Sequence, residues 1–207
     1  MRTVTVTGRG MESIPATIAL INLGVEAQGK TAQEVQQEVA RRSSAVVELL
    51  RSRNVEKLQT TGIRLSPNYT FQNNVQRLIG YIAVNTVSFR MDAQRVGNLL
   101  DEAVNAGATR IDGISFVAAE SAIAKAQEQA LREATLDAQR QADAVLATLN
   151  LTRQEVVSIQ VNGAAAPPPP PIAFRAASAD RAENQFSTPV VGGEQQVEAS
   201  VTLQIRY

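Results

Sequence analysis

The sequence contains no cysteine and no histidine. Their absence removes every thiolate or imidazole zinc site, the Ser-His-Asp triad and the cysteine nucleophile. It also removes the one side chain that ordinarily shuttles protons near neutral pH. Hydrolysis by carboxylates alone, or with an oxygen-ligated Mg²⁺ or Ca²⁺, stays chemically open. Disulfides are excluded, which by itself assigns no redox compartment. An excess of charge is missing too: 20 Lys and Arg balance 20 Asp and Glu, with a pI of about 6.4. Nucleic-acid binders present a basic excess or stripe to the phosphates, so no nucleic-acid partner is expected. No apolar run approaches the roughly 20 residues that span a bilayer. The opening MRTVTVTGRG passes straight into strand-like alternation, without a charged-then-apolar leader.

What is present is enough apolar residue, 44%, for a substantial core. Val4 and Val6 alternate with threonines and run into Gly8-Arg9-Gly10, read here as a turn between strands. No third glycine follows at Ser13, so the triplet is not a dinucleotide fingerprint. Ala19, Ile21, Leu23, Val25 and Ala27 line one face of a second strand. Thr31-Ala32-Gln33-Glu34 is a capping box opening a helix with Val35, Val39, Val46, Leu49 and Leu50 on one side. A strand over about 58–65 leads to Pro67, Tyr69 and Phe71, and the polar run 72–76 turns the chain back. Tyr81, Ala83, Val87 and Phe89 then share a strand face. Asp92 caps a helix carrying Val96, Leu99, Leu100 and Ala103, Gly107 ends it, and Ile114 and Phe116 open the return strand. The order over 16–118 is therefore β-α-β-β-α-β, which predicts an antiparallel sheet with both helices on one face.

Ser121 caps a long helix that runs to about Leu149, with Ala126, Ala130, Ala134, Ala138 and Ala142 at every fourth position and Ile123, Val145 and Leu149 at its ends. Alanine is the best helix former, so the stripe is read first as packing on the chain's own sheet. The alternative is a contact with a second copy. Val157, Ile159 and Val161 mark another strand. Val197, Ala199, Val201, Leu203 and Ile205 alternate with polar residues to the C-terminus, predicting a half-buried closing strand. Between these strands lies a Pro/Ala-rich insert, 163–194, with Pro167, Pro168, Pro169, Pro170 and Pro171 in succession. Five prolines favour an extended rod that could engage a protein partner. A long connection of this kind is expected to be the least ordered part of the chain.

The acids Asp101, Glu102, Asp112 and Glu120 lie close in sequence and are the candidates for a paired-carboxylate site. Capping and solvated helix faces account for such acids more often. The sequence thus names no catalytic, cofactor-binding or metal-binding residue and implies no cofactor.

With these blocks in place the chain resembles the SIMPL-domain family. TVTGRGMESIPATIALINLGVEAQ resembles its first block, GIRLSPNYTFQ its middle, and GYIAVNTVSF through GATRIDGISF its centre. The Ala-rich helix and the closing QVEASVTLQIRY resemble its end, with Gln where the family usually has Glu before Val. The resemblance implies one domain over 1–207: the β-α-β-β-α-β unit over 16–118, the long helix with closing strands over 121–162 and 195–207, and the insert over 163–194. It implies the bacterial periplasm or cell envelope, a link to oxidative-stress defence, and homo-oligomers, some of them ring-like. It supplies no catalytic residues to transfer. The expected fold is α+β. The expected function is non-enzymatic, by binding or oligomeric assembly. The alternatives are a carboxylate-only or Mg²⁺/Ca²⁺-dependent enzyme, and a cytoplasmic adaptor using the proline run.

Overall fold

Gly8, Arg9 and Gly10 sit inside a strand, not at a turn. In the computed structural model, which describes residues 2–72, 75–167 and 192–207, the first strand, β1, runs unbroken from Thr3 to Pro15. Its antiparallel register on the closing strand continues without a gap from Thr3 opposite Arg206 to Pro15 opposite Glu194. The glycines serve a close approach by the long helix, a recognised use of glycine within a strand. The expected turn is therefore corrected: alternation of threonine and valine carries the strand through both glycines.

The described residues form two compact units. One combines β1 with the long helix α3 (Glu120–Thr148), β6 (Val156–Ala165) and β7 (Glu194–Arg206). Its antiparallel sheet has the order β1-β7-β6, and α3 packs on β1 and β7. The alanine stripe is the buried face of α3: Ala130, Ala134, Ala138 and Ala142 are 0% exposed. Across from it lie Ile14, Val197, Ala199, Val201, Leu203 and Ile205. The four-residue step continues to Leu146, whereas Val145 and Leu149 remain exposed. Residues four apart lie over one another on a helix, and this step leaves Val145 and Leu149 to one side. The expected Ser121 cap is corrected: the helix begins at Glu120, with Ala119 in the capping position and no side-chain cap there, so Ser121 lies within its first turn.

Part of the expected insert is strand. β6 extends to Ala165 and β7 begins at Glu194. The buried Gln195 amide holds the ends of this region together. Its Oε1 accepts from the Ala118 N–H at 2.8 Å, and its Nε2 donates to the Ala166 and Pro167 carbonyls at 3.2 Å each. Pro168, Pro169, Pro170 and Pro171, and the expectation of low order over most of the insert, lie outside the described residues.

The other unit contains β2 (Ile18–Gly29), α1 (Ala32–Ser52), β3 (Glu56–Gln72), β4 (Val75–Asp92), α2 (Val96–Ala106) and β5 (Arg110–Val117). This is the expected β-α-β-β-α-β unit, with sheet order β3-β4-β2-β5. The Thr31 hydroxyl accepts from the Glu34 N–H at the start of α1. Asp92 accepts from the Gln94 N–H ahead of a short 3₁₀ turn, Ala93–Arg95, that leads into α2. Gly107, at φ 124°, ends α2. Ala19, Ile21, Leu23, Val25, Val87, Phe89, Val96, Leu99, Leu100, Ile114 and Phe116 are buried as their spacing predicts.

The expected strand over 58–65 is longer in both directions, ending at Gln72. β2 pairs with β4 only from Tyr81 to Asp92, so Val75 to Gly80 pair with β3 alone. The far end of this hairpin thus leaves the sheet as a two-stranded ribbon.

Candidate functional site

Two of the four carboxylates singled out from the sequence, Glu102 and Asp112, are held by arginines. Glu102 is held by Arg53 at 2.7 Å, and that hydrogen bond lowers its pKa. Asp112 pairs with Arg110 at 2.8 Å on β5. Asp101 lies exposed on α2, and Glu120 opens α3. Among the described residues no three His, Cys, Asp or Glu side chains gather to hold a metal ion.

A small polar cleft of about 260 Å³ lies between α1 and the β2–β5 side of its unit, with Glu26, Glu38, Arg42, Thr109 and Arg110 in its wall. The Thr109 hydroxyl accepts from the Glu26 N–H at 2.7 Å, which fixes the start of β5 against β2. Arg110 bridges Glu26 at 3.1 Å and Asp112 at 2.8 Å. Glu38 accepts from Arg41 and Arg42, and these two hydrogen bonds pull its pKa down to about 2. A general acid or base works best with a pKa near the working pH. Glu38 sits far from that condition, and these charges neutralise one another. The arrangement can brace two strands and a helix; it is not poised for proton transfer.

A broader groove of about 850 Å³ lies in the other unit, where β1, α3, β6 and β7 bring Arg9, Met11, Leu136, Arg140 and Asn162 to its wall. Asp137 anchors one side by accepting from the Arg9 N–H at 3.1 Å and from Gln141 at 2.8 Å. The backbone hydrogen bond is the first cause of its lowered pKa. Met11 and Leu136 are 60% and 57% exposed, so the groove offers apolar contact edged by charge.

The largest departures from a closed core lie on edge strands. Ile159 and Val161 of β6 are opposite Leu203 and Val201 of β7. Directly opposed residues share a sheet face, so these two side chains continue the core face on the β6 side of β7. There they are 65% and 59% exposed. β3 repeats the pattern in its own unit. Leu65 is opposite Ala83, which is buried against Val35 and Val39 of α1. Yet Ile63, Leu65, Tyr69 and Phe71 along the same strand are 69%, 44%, 45% and 72% exposed. Sequence reasoning marked β6 as a strand and used Tyr69 and Phe71 only as landmarks. The readable signal was the period-two run Ile63, Leu65, Pro67, Tyr69, Phe71. Which helix leaves which strand uncovered is not written in that period.

Residues 4–205 match the family described as SIMPL, protein of unknown function (DUF541). Over 151 residues the chain is 29% identical to the 26 kDa periplasmic immunogenic protein of Brucella melitensis biotype 1, and equally to that of Brucella abortus strain S19. Each match covers 68% of this chain and 60% of the relative, so the chain spans less than two thirds of the length of those proteins. No helix among the described residues is long and apolar enough to cross a membrane.

Proposed function

The chain belongs to the SIMPL family, and on that basis we propose a non-enzymatic protein of the bacterial periplasm or cell envelope that acts by binding and by assembly with further copies of itself. The location is supported by the two relatives, both named as periplasmic immunogenic proteins. The non-enzymatic reading is supported by the polar cleft, whose charges are spent on one another. A role in oxidative-stress defence rests on the family resemblance alone.

The observation that carries assembly is β6. It is an edge strand with Ile159 and Val161 exposed on the face that is core one strand away. An edge of this kind is a template for pairing unless something covers it. Light scattering across micromolar concentrations tests the reading. An oligomer is expected, and Ile159→Lys with Val161→Lys should dissociate it. A 22.2 kDa monomer throughout would overturn assembly. Ala134 is fully buried within its own unit, so Ala134→Arg would test folding and not an interface between copies.

A further inference from the structure

The edge strands of the two sheets are not protected alike. The edges are β1 and β6 in one unit and β3 and β5 in the other. Charge and proline on an edge strand discourage a further strand from joining it. β1 carries Arg9 and Pro15, β3 Arg64 and Pro67, and β5 Arg110 and Asp112. β1 is also shielded by α3, whose Asp137 accepts from the Arg9 N–H at 3.1 Å. Among the described strands, β6 alone has no Asp, Glu, Lys, Arg or Pro, from Val156 to Ala165.

β6 is also complementary to itself. Its pairing with β7 is irregular around Val157 and Asn162 and regular from Ser158 to Val161. In that stretch Ile159 and Val161 continue the core face, and Ser158 and Gln160 point the other way. Two identical strands paired antiparallel are related by a two-fold axis. An axis passing between two residues would set Ile159 against Gln160, apolar against polar. An axis through Gln160 keeps the faces matched, with Ile159 of each copy opposite Val161 of the other. Gln160 then meets itself on the polar face. A charged residue there would face its own charge, whereas an amide brings both donors and an acceptor.

We propose that two copies pair through β6, antiparallel about a two-fold axis at Gln160. The product is one sheet of order β1-β7-β6-β6-β7-β1 with both α3 helices on the same face. Ile159 and Val161 of the two copies fill the strip between the helices, which pack on β1 and β7. The pairing rests on assembly through β6 and adds the partner strand and the symmetry. A two-fold contact uses the same surface on both copies and closes at a pair. Contact of β6 with β1 of a further copy would lead to a ring or a filament. The Asp137 carboxylate on the Arg9 N–H opposes it.

Single-cysteine cross-linking tests the proposal, since the chain has no cysteine of its own. Gln160→Cys would lie opposite itself, within the roughly 4.4–6.8 Å Cα separation that a disulfide spans. Under mild oxidation it should become a covalent dimer. Ser158→Cys, on the same face but off the axis, should link severalfold more slowly. Thr5→Cys on β1 should form no mixed dimer with Gln160→Cys. All three positions are exposed, so unchanged melting midpoints should show that the variants fold. Light scattering on the unaltered chain runs alongside. An oligomer in which Gln160→Cys stays unlinked would overturn the two-fold pairing and leave assembly standing. Equal rates for Ser158→Cys and Gln160→Cys would overturn the axis, and a mixed dimer with Thr5→Cys would overturn it in favour of a β1–β6 contact. A monomer of 22.2 kDa throughout would overturn assembly and pairing together, and leave the β6 edge to a strand of another protein.

Discussion

Gly8 of β1 meets Ala134 of α3 backbone to backbone. A Cβ placed on Gly8 would collide with the Ala134 carbonyl oxygen and stand 2.9 Å from the Ala138 Cα. One helical turn earlier, Gly10 meets Ala130 in the same way, with the Ala134 nitrogen 2.7 Å from its would-be Cβ. Glycines on the strand and alanines on the helix are the two halves of one contact. Backbones this close leave no room for a methyl group, so Gly8→Ala should destabilise the protein by about 3 kcal/mol or more. Urea unfolding measures it, and a loss below ~1 kcal/mol would mean that the helix can lift away at little cost.

The closing strand supplies the facing half of that core. Leu203 is 1% exposed and Val201 2%. Leu203→Ala should cost about 2–5 kcal/mol, the range for a large buried side chain whose cavity closes only in part. Gln204, exposed on the opposite face of β7, serves as the control. A similar loss for Gln204→Ala would point to disturbed backbone pairing rather than lost packing.

Gln195 is a buried polar side chain, 3% exposed, whose amide satisfies three backbone groups. Gln195→Leu should leave the Ala118 N–H buried without its acceptor, at a cost of about 1–3 kcal/mol. Hydrogen exchange at Ala118 is the specific readout. Unchanged protection there, with only a general loss of stability, would show that packing was the side chain's main contribution.

Ser43 presents the opposite case. It faces the core from α1, 6% exposed, and its hydroxyl has no hydrogen-bond partner among the described residues. Ser43→Ala removes the unmet group and improves helix propensity, so stability should rise by about 1 kcal/mol. Thermal unfolding that shows a loss instead would reveal a partner for the hydroxyl.

Acid should weaken α1's unit through Glu38. Its pKa falls from 4.5 to about 2 because Arg41 and Arg42 hydrogen-bond the carboxylate. A carboxyl with a depressed folded-state pKa adds stability above its unfolded value and loses it as pH drops through the folded one. The window is therefore about pH 4.5 down to about 2. The pair is at the surface, so the effect should be small and should shrink in high salt. Melting midpoints of wild type and Glu38→Gln should converge across this window. Parallel curves would show that the pair adds nothing.

The period-two and period-3.6 patterns were enough to read β2, α1, β4, α2, β5, α3 and β7, including the inward faces of β2 and β7, because alternation and helical spacing are local and each face is half buried. Thr31, Asp92 and Gly107 marked helix ends for the same reason: capping is settled within a few residues of chain. The purpose of Gly8 and Gly10 was not local. A glycine inside alternating Thr and Val looks like a turn until a helix more than a hundred residues away is seen to need the space. The carboxylates Asp101, Glu102, Asp112 and Glu120 were near in sequence, but proximity along a chain says nothing of where Arg53 and Arg110 will stand, and two of the acids are held by those arginines. Exposure at β3 and β6 was the other tertiary decision. Alternation tells which side chains share a face; only the lateral reach of α1 and α3 decides where cover ends, and it ends before Ile63, Phe71, Ile159 and Val161.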